Sequence, residues 1–346
     1  MGTLQHDPRV RSRTMRIALS MYPGMEGYAL RPEHLAALAE IGELLHPTAI
    51  DSLDAAQADE VLAVADVLVG HWGCVQVDGA LLDRAPNLRM VAYAAGTVKG
   101  SIAPEAFERG LLVTSGAAAN AVPVAEYTVA AILFANKDVF GARERARPGG
   151  DDHPWPKRHR PVGNWGKKVG LVGASHVGRG VIELLRPYRL EVLLTDPYVT
   201  DDQAAHLGVR LVALDELLAA SDVVSLHAPA LPATDRMIAA AELARMADGS
   251  TLVNTARGSL VDHDALAAEL RTGRLHAVLD VTDPEPLPAD HELLRLPNAF
   301  VTPHIAGSQG TELGRMAELV LEELRRFAAG EPPLHPVTAA DLDRIA

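Results

Sequence analysis

The sequence predicts an α/β protein composed of two doubly wound parallel-sheet domains. Three observations predict this class: the length, a series of short apolar runs alternating with helical patterns, and a second such series after an irregular segment. The 346 residues suffice for one large or two ordinary domains with buried cores. Hydrophobic residues make up 48% and charged residues 22% of the chain, a profile typical of a globular protein rather than a disordered one.

The first series of strands and helices covers roughly the first 120 residues. Short β-rich apolar runs separated by helical stretches indicate parallel strands buried on both faces. The predicted strands are 15–20, 66–70, 90–93 and 111–114. A helix is predicted where Leu35, Leu38, Ile41 and Leu44 recur at helical spacing after Pro32. An Ala-rich stretch over 122–139 predicts a long helix that leaves this first unit.

An irregular segment, 147–168, separates the two series. It is rich in proline and glycine, and its basic residues include Lys157, Arg158, Arg160, Lys167 and Lys168. Two interpretations remain open for it. One is a surface for a partner, and the other is a solvated linker or an arm that contacts a second subunit.

A second series of strands and helices begins at Lys168. The predicted strands are 169–173, 190–196, 209–212, 223–227, 251–255, 276–281 and 300–302, and the predicted helices are 178–188, 214–220, 239–246 and 262–271. A final helix over 308–328 is long enough to reach back to the first unit. The predicted domains are therefore 122–305 and a discontinuous one formed by 1–121 and 306–346.

Charge and cysteine content exclude several classes of protein. The net charge is −13 and the isoelectric point about 5.5, which argues against a nucleic-acid binder held by counterion release. The single cysteine, Cys74, excludes an intramolecular disulfide framework and a cysteine-rich zinc site, and no metal is predicted. No apolar run approaches the roughly 20 residues needed to span a bilayer. Residues 1–15 lack the pattern of a signal peptide, so a cytoplasmic protein without membrane contact is expected.

The turn after the strand at 169–173 resembles the glycine motif of dinucleotide-binding domains. Gly173 permits a tight turn out of the strand, and Gly178 permits close approach of the helix to the sheet. The helix N-terminus offers free N–H groups to a pyrophosphate. Ser175 replaces the usual middle glycine, and its hydroxyl has a proton to donate to a phosphate oxygen.

Asp196 ends the second strand of this series, 18 residues after Gly178. A carboxylate at that place accepts hydrogen bonds from the ribose hydroxyls and repels a 2′-phosphate. The position therefore predicts NAD as the cofactor rather than NADP. The alternative is an acidic turn residue before Pro197.

Three residues at the ends of later strands form a candidate catalytic set. Arg257 offers bidentate donors to a carboxylate. Histidine is the residue type whose side chain ordinarily changes charge near neutral pH, which suits His304 to the transfer of a proton to a carbonyl oxygen. A glutamate such as Glu285 beside a histidine favours its protonated form. Together they are the groups needed to hold a 2-keto acid and move its proton.

The chain resembles the D-isomer-specific 2-hydroxyacid dehydrogenases, a family that includes phosphoglycerate and formate dehydrogenases. The resemblance covers nearly the whole chain and is weakest before about residue 60. The matching segments are TARGSLVD at 255–262, LDVTDPEP at 279–286, PHIAG at 303–307, Ala125-Glu126, and SLHAP at 225–229 with Thr234 downstream.

The resemblance implies a Rossmann NAD domain, a flavodoxin-like substrate domain and a cleft between them. It implies that Arg257 grips the substrate, His304 is the acid/base and Glu285 orients it. It also implies a cofactor site formed by Gly173, Ser175, His176, Val177, Gly178, Asp196, His227, Thr234, Thr255, Ala256, Asp280 and Gly307. Asp280 resembles the family aspartate near the nicotinamide carboxamide, whereas a purely structural role for His227 is equally open. A homodimer through the NAD domains is expected.

Two loops of the first domain are expected to face the substrate. Their residues are His71, Trp72, Gly73, Ala95, Gly96 and Lys99. Lys99 stands where the family usually has an acidic or neutral residue, and this predicts a small anionic 2-hydroxy or 2-keto acid with a second negative group such as phosphate or phosphonate. A lysine pointing to solvent is the alternative.

Two other functions fit the same fold. One is an NAD-sensing corepressor-like binding protein, which the intact set of Arg257, Glu285 and His304 disfavours. The other is a formate-type dehydrogenase, which by family resemblance pairs its histidine with glutamine, so that Glu285 disfavours it. The expected function is therefore an NAD-dependent D-2-hydroxyacid dehydrogenase that acts on a CH–OH donor.

Overall fold

The chain folds into two compact units, each built around one β-sheet. The computed structural model describes residues 14–146, 162–342 and 344. Unit 1 is formed by Met1–Asn120 together with Ser308–Ile345, and unit 2 by Ala121–Gly307. Most of the basic segment at 147–168 lies outside the described residues, as does the N-terminal tail 1–13. The role of that segment as a partner surface or an arm stays a prediction.

Unit 1 contains a sheet of six strands in the part of the chain that the structure describes. The strands are β1 (Met15–Ser20), β2 (Gly42–Leu44), β3 (Val67–Gly70), β4 (Met90–Tyr93), β5 (Leu112–Ser115) and β13 (Pro336–Val337). The spatial order is β13-β5-β4-β3-β1-β2, with β1 to β5 parallel and β13 antiparallel to β5. The order 2-1-3-4-5 of the parallel strands is that of the flavodoxin-like doubly wound fold.

Apolar cores lie on both faces of this sheet. The helices of unit 1 are α1 (Met25–Ala29), α2 (Pro32–Ile41), α3 (Ala58–Leu62), α4 (Gly79–Arg84), α5 (Pro104–Glu108) and α13 (Leu313–Ala329). Successive strand residues point to opposite faces. Val67 and Val69 pack in the core that contains residues of α2 and α13, whereas Leu68 packs in the core that contains residues of α3, α4 and α5. The sheet thus holds the loops that follow β3 and β4.

Unit 2 contains a parallel sheet of seven strands among the described residues. The strands are β6 (Lys168–Val172), β7 (Glu191–Thr195), β8 (Arg210–Leu211), β9 (Val223–Leu226), β10 (Thr251–Asn254), β11 (His276–Leu279) and β12 (Ala299–Val301), in the spatial order β12-β11-β10-β9-β6-β7-β8. The chain builds outward from β6 to β8 and then continues with β9 on the other side of β6, as in a Rossmann fold. The predicted class of two doubly wound α/β domains is confirmed.

The helices of unit 2 are α7 (Val139–Arg145), α8 (His176–Leu185), α9 (Asp201–Leu207), α10 (Leu214–Ala220), α11 (Ala240–Arg245) and α12 (His263–Arg271). A further helix, α6 (Ala117–Asn136), begins in unit 1 and continues in unit 2. In an open α/β sheet, ligands bind at the carboxyl ends of the strands where the strand order reverses. In unit 2 this point lies between β6 and β9. After β6 the chain adds β7 on one side of it, whereas β9 pairs with β6 on the other side.

The predicted helix through Leu44 is wrong at its end. The helix α2 stops at Ile41, and Gly42–Leu44 forms strand β2 beside β1. Gly42 has an extended backbone, and a Cβ built on it would lie 2.3 Å from the carbonyl oxygen of Met15. The pairing with β1 therefore leaves no room for a side chain there, and it outweighs the local helical pattern.

The long helix predicted over 122–139 begins earlier and ends earlier. In the structure α6 spans Ala117–Asn136, with Pro123 inside it. A window of 18 residues within it has a mean hydropathy of 1.4, so that, contrary to the expectation, one described helix is long and apolar enough to cross a membrane by length and composition. Several of its residues are buried in the core of unit 2, among them Ala125, Val129 and Ile132. This packing is that of a core helix.

The final helix also begins later than predicted. Residues 308–312 form an irregular stretch with a short 3₁₀ turn, Gly310–Glu312, before α13 starts at Leu313. Gly310 has a φ of 53°, a conformation that interrupts an α-helix. Ser308 is buried, and its backbone N–H donates to Asn120 Oδ1 at 2.9 Å, within unit 1.

Candidate active site

The turn between β6 and α8 leaves no space for side chains at its two glycines. Gly173 has a φ of 101°, and a Cβ on it would lie 2.8 Å from the backbone carbon of His227. A Cβ on Gly178 would lie 2.3 Å from the carbonyl oxygen of Gly173. The turn therefore passes close to the end of β9, and α8 approaches it closely. Both features are those of a dinucleotide-binding turn.

Ser175 caps the helix that follows this turn. Its Oγ accepts a hydrogen bond from the backbone N–H of Gly178 at 3.3 Å, the role of an N-cap residue. Ser175 and His176 are exposed, and Val177 is half-buried. Because the hydroxyl uses a lone pair for the cap, its proton remains free for an external acceptor.

Asp196 braces the glycine turn from the end of β7. Its Oδ2 accepts from the backbone N–H of Ala174 at 2.7 Å, and its Oδ1 accepts from Tyr198 N–H at 2.8 Å. A carboxylate has about four acceptor sites, so lone pairs remain for further donors. Asp196 thus stabilises the glycine turn, a role that the sequence did not predict, and its remaining lone pairs are free to accept hydrogen bonds from ribose hydroxyls.

His304 and Glu285 form a hydrogen-bonded pair. His304 Nδ1 lies 2.5 Å from Glu285 Oε1, and the side chains are 49% and 40% exposed. Because an ionised carboxylate only accepts hydrogen bonds, Nδ1 carries the proton in this pair. The other ring nitrogen, Nε2, has no hydrogen-bond partner among the described residues. His304 has a φ of 55°, a left-handed conformation that is uncommon for a residue other than glycine.

Arg257 lies close enough to Glu285 for their charges to interact. Burial lowers the pKa of Arg257, and the charge of Glu285 opposes that shift. One guanidinium nitrogen, Nη1, donates to the carbonyl oxygen of Ala256 at 2.6 Å. Arg257 forms no ion pair within the described parts of the chain, so its remaining donors are available for an anionic ligand.

Two buried residues shape the loops that carry Arg257 and Glu285. Asn254 donates from Nδ2 to Arg257 O at 2.8 Å and accepts at Oδ1 from Ala256 N–H at 3.1 Å. A Cβ on Gly258 would lie 2.0 Å from the carbonyl oxygen of Thr282. Glycine at 258 therefore lets the two loops pack against each other. The motif at 255–262 did not indicate these roles of Asn254 and Gly258.

Asp280 is buried and holds the loop of His304. Its side chain is 1% exposed and accepts from Thr302 Oγ1 at 2.6 Å and from the backbone N–H groups of Ile305 and Ala306, each at 2.9 Å. Its carbonyl oxygen accepts from His304 N–H at 2.8 Å. The structure therefore gives Asp280 a role in the loop, and its predicted contact with the nicotinamide carboxamide stays a prediction.

The other predicted cofactor residues line the ends of β9 to β12. His227 is buried, and burial lowers its pKa to about 3, so it is neutral at physiological pH. Thr234 Oγ1 donates to Pro229 O at 2.6 Å and accepts from Leu231 N–H at 3.0 Å. The remaining residues follow β10 and β12, namely Thr255, Ala256 and Gly307. Thr234 thus stabilises its own loop.

The predicted substrate residues of unit 1 follow β3 and β4. His71 is 1% exposed, burial lowers its pKa to about 4, and its Nδ1 accepts from Trp72 N–H at 2.8 Å. Its buried Nε2 has no hydrogen-bond partner within the described residues. Gly73 has a φ of 83°, and a Cβ on it would overlap Tyr22. This loop is therefore tightly built around a neutral histidine.

The second loop of unit 1 carries Lys99. Ala95 is fully buried, Gly96 is half-buried, and the backbone N–H of Lys99 donates to Thr97 Oγ1 at 3.1 Å. Lys99 is half-buried and forms no ion pair with any carboxylate of the described chain. Such a lysine is available to a mobile anion.

Cys74 is not an activated thiol. Burial raises the pKa of the Cys74 thiol to about 11, and a hydrogen bond with Ser20 opposes that shift. The thiol is therefore protonated at neutral pH and a poor nucleophile. In the described residues, no group of three or more histidine, cysteine, aspartate or glutamate side chains lies close enough together to hold a metal ion.

Comparison with known proteins identifies the family. A family model described as the NAD-binding domain of D-isomer specific 2-hydroxyacid dehydrogenases matches residues 129–306. The chain belongs to this family. The predicted family and its NAD cofactor are confirmed.

Curated relatives and a solved structure agree with this assignment. A D-3-phosphoglycerate dehydrogenase of Mycobacterium tuberculosis is 34% identical over 308 residues, which are 87% of this chain and 56% of that protein. A glyoxylate reductase of Korarchaeum cryptofilum is 35% identical over 259 residues, which are 74% of this chain and 78% of that protein. The TT0316 protein from Thermus thermophilus has a similar crystal structure, with a TM-score of 0.73 and 33% identity over 94% of this chain and all of that one. The chain spans about half the length of the phosphoglycerate dehydrogenases that it matches.

Proposed function

We propose that this dehydrogenase transfers a hydride reversibly between NAD and C2 of a small D-2-hydroxy acid or its 2-keto acid. The observation that carries the proposal is the hydrogen bond of 2.5 Å between His304 Nδ1 and Glu285 Oε1, close to the guanidinium of Arg257. A histidine, a carboxylate and an arginine are the groups that such a reaction requires. Membership of the family supports the same reaction.

Each of the three side chains has a distinct task in this proposal. Arg257 binds the substrate carboxylate through its unpaired donors and stabilises charge on the reacting oxygen. His304 gives a proton to that oxygen, or takes one from it, at Nε2. Glu285 fixes the ring through Nδ1 and favours the protonated form that keto-acid reduction requires.

The residues at the end of β6 and β7 suit a dinucleotide. Because Gly173 and Gly178 carry no side chain, the turn lies close to the end of β9 and to the start of α8, and the capped N-terminus of α8 offers N–H groups to a pyrophosphate. When bound, NAD supplies or accepts the hydride at its nicotinamide ring. Asp196 would accept hydrogen bonds from the ribose and repel a 2′-phosphate. The proposed contacts are Gly173, Ser175, His176, Val177, Gly178, Asp196, His227, Thr234, Thr255, Ala256, Asp280 and Gly307.

We assign the substrate-domain role to unit 1. The loops after β3 and β4 would contribute His71, Trp72, Gly73, Ala95, Gly96 and Lys99. The half-buried Lys99, which has no carboxylate partner in the described chain, favours a substrate with a second anionic group. The relatives named D-3-phosphoglycerate dehydrogenase and glyoxylate reductase act, by their names, on a phosphorylated and an unphosphorylated acid, so both substrate types belong in the test.

We also propose a homodimer through the NAD-binding unit and a cytoplasmic location. Phe134 on α6 and Val139 at the start of α7 are 50% and 36% exposed, which supports an apolar contact with a second subunit. The net charge of −13 is consistent with a protein that does not bind nucleic acid. Light scattering after gel filtration measures the mass of the assembly, and a mass equal to one chain would reject the dimer.

The alternative functions have less support. An NAD-sensing binding protein does not require the pair formed by Glu285 and His304. A formate-type enzyme is expected to have an amide in place of the Glu285 carboxylate. The decisive experiment follows NADH oxidation with a panel of glyoxylate, pyruvate, a dicarboxylic keto acid and 3-phosphohydroxypyruvate. Turnover of at least one acid to its D-hydroxy product supports the proposal, and absence of turnover on all of them rejects it.

A further inference from the structure

Two consecutive residues of α6 contact two different loops of the candidate active site. Tyr127 Oη lies 2.7 Å from Thr302 Oγ1, and Thr128 Oγ1 lies 2.8 Å from Thr255 Oγ1. Thr302 precedes His304 by two residues, and Thr255 precedes Arg257 by two residues. All of these residues belong to unit 2.

The first contact continues to a buried carboxylate. Thr302 Oγ1 also lies 2.6 Å from Asp280 Oδ1, and because a carboxylate only accepts, Thr302 donates to it. Tyr127 must then donate to the oxygen of Thr302. Burial raises the pKa of Tyr127, the hydrogen bond with Thr302 opposes this and the charge of Asp280 adds to it, so the phenol keeps its proton. A chain of donors thus runs from α6 to Asp280.

Asp280 forms hydrogen bonds with residues on both sides of His304. Its side chain also accepts from the backbone N–H groups of Ile305 and Ala306, so it binds residues before and after the histidine. His304 has a left-handed backbone, which persists only where the surrounding structure holds it. Asp280 therefore holds the backbone on both sides of His304, and Tyr127 is linked to Asp280 through Thr302.

The donor and the acceptor can also be assigned in the hydrogen bond between Thr128 and Thr255. Thr128 Oγ1 donates to the carbonyl oxygen of Val124 at 2.7 Å, so its remaining lone pair accepts from the hydroxyl of Thr255. Thr128 is fully buried and Thr255 is 7% exposed. Without Thr128 the hydroxyl of Thr255 would lose its acceptor in a buried place, which is costly.

We infer that Tyr127 and Thr128 are positioning residues that orient His304 and Arg257 through Thr302, Asp280 and Thr255. This inference rests on the proposed function, because it assumes that His304 and Arg257 act on the substrate. It assigns a role to residues on a helix that carries none of the three proposed catalytic side chains. Tyr127 acts on proton transfer through His304, and Thr128 acts on substrate binding through Arg257.

The first test removes the hydroxyl of Tyr127. We expect Tyr127→Phe to lower kcat for keto-acid reduction roughly threefold to tenfold, since one neutral hydrogen bond is lost. The dissociation constant of NADH and the melting temperature should change little. Thr302→Val should behave in the same way, and Thr302→Ser, which keeps the hydroxyl, should retain most of kcat. Tyr188→Phe is the matched control, because Tyr188 is 41% exposed in the same unit.

The second test concerns Thr128. We expect Thr128→Val to raise KM for the keto acid several-fold more than it lowers kcat, because Arg257 binds the substrate carboxylate. Thr128→Ser keeps the hydroxyl and should restore KM. Equal changes of KM in the Val and Ser variants would show that packing, rather than the hydrogen bond, is responsible, and would overturn this half of the inference.

Hydrogen exchange provides a readout that does not depend on activity. Tyr127→Phe should speed amide exchange in the peptide that covers 302–307, while the strand peptide at 276–279 stays protected. Faster exchange in an enzyme that reduces no keto acid would support the positioning role and reject the proposed function. Unchanged exchange together with unchanged kcat would overturn the inference and leave the proposed function intact.

Discussion

Glu285 accepts a hydrogen bond of 2.5 Å from His304 Nδ1, although the two residues lie on different loops. Glu285 follows strand β11 and His304 follows strand β12, and these strands are adjacent and parallel. Parallel strands place their carboxyl ends at one edge of the sheet. The pair is therefore brought together by strand order, and the rest of the proposed mechanism depends on it.

Glu285→Gln should slow keto-acid reduction in a pH-dependent way. The amide keeps the size of the side chain but lacks the charge that favours protonated imidazole. We expect the loss of kcat/KM to be larger at alkaline than at acidic pH. At acidic pH the high proton concentration favours protonated imidazole even without the carboxylate charge, whereas at alkaline pH it does not. Rate profiles measured with NADH between about pH 5.5 and 9 check this, a range that brackets the usual histidine pKa. Asp283→Asn removes an exposed charge two residues away and is the control; a loss that is equal at every pH would contradict the role of the charge.

Asp196→Ala should weaken NADH binding and relax discrimination against NADPH. The carboxylate is expected to accept ribose hydroxyls and repel a 2′-phosphate, and it also braces Ala174 and Tyr198. Asp196→Asn removes the charge and keeps one acceptor, so its NADH affinity should fall less while its preference still shifts toward NADPH. Fluorescence titration with both cofactors measures the two constants. If neither variant alters the ratio of affinities, Asp196 is only a turn residue.

Ser175→Ala should lower stability and cofactor affinity together. The hydroxyl caps α8 by accepting from Gly178 N–H, and loss of such a cap costs about 1 kcal/mol. Ser175→Gly should cost only a few tenths of a kcal/mol. If the hydroxyl only caps the helix, the Gly variant should bind NADH as well as the parent or more tightly. Urea unfolding and NADH titration separate the two effects, and weaker NADH binding in the Gly variant would reveal a phosphate contact.

Lys99→Met should affect substrates selectively. We expect activity on 3-phosphohydroxypyruvate or dicarboxylic keto acids to fall at least about tenfold, as expected for a lost charge-assisted hydrogen bond. Activity on pyruvate and glyoxylate should be retained, and Lys99→Arg should keep part of the preference. Steady-state constants on the four acids provide the comparison. Equal losses on all four substrates, or none on any, would remove Lys99 from substrate recognition.

Sequence reasoning predicted best where the decisive contacts are local. The strand β4 and the helix α10 have the predicted bounds, since each has a pattern of its own between clear turns. The glycine turn at Gly173 and the strand-end positions of Arg257, Glu285 and His304 were also visible, because motif and strand end coincide. The start of α6 was missed, because Pro123 marks a first turn in sequence but lies inside the helix.

The remaining features depend on contacts between distant segments. Tyr127 and Thr302 are 175 residues apart, and no local pattern indicates that α6 reaches the loop after β12. The same holds for β2, where only the close approach of Gly42 to Met15 explains the strand. A signal was present for Thr255, which begins the family motif at 255–262, and for Thr302, which directly precedes the motif at 303–307. Their partners on α6, Tyr127 and Thr128, could be identified only from the folded structure.

Our central claim is that His304 moves the proton at the substrate oxygen, whereas NADH binding does not require the side chain of His304. The most direct measurement compares parent and His304→Ala enzymes in single-turnover reduction of the best keto acid, with NADH affinity measured on the same samples. We predict a loss of turnover of roughly a hundredfold or more, as expected for a general acid, with NADH affinity within about twofold of the parent. Normal turnover in His304→Ala would contradict the account.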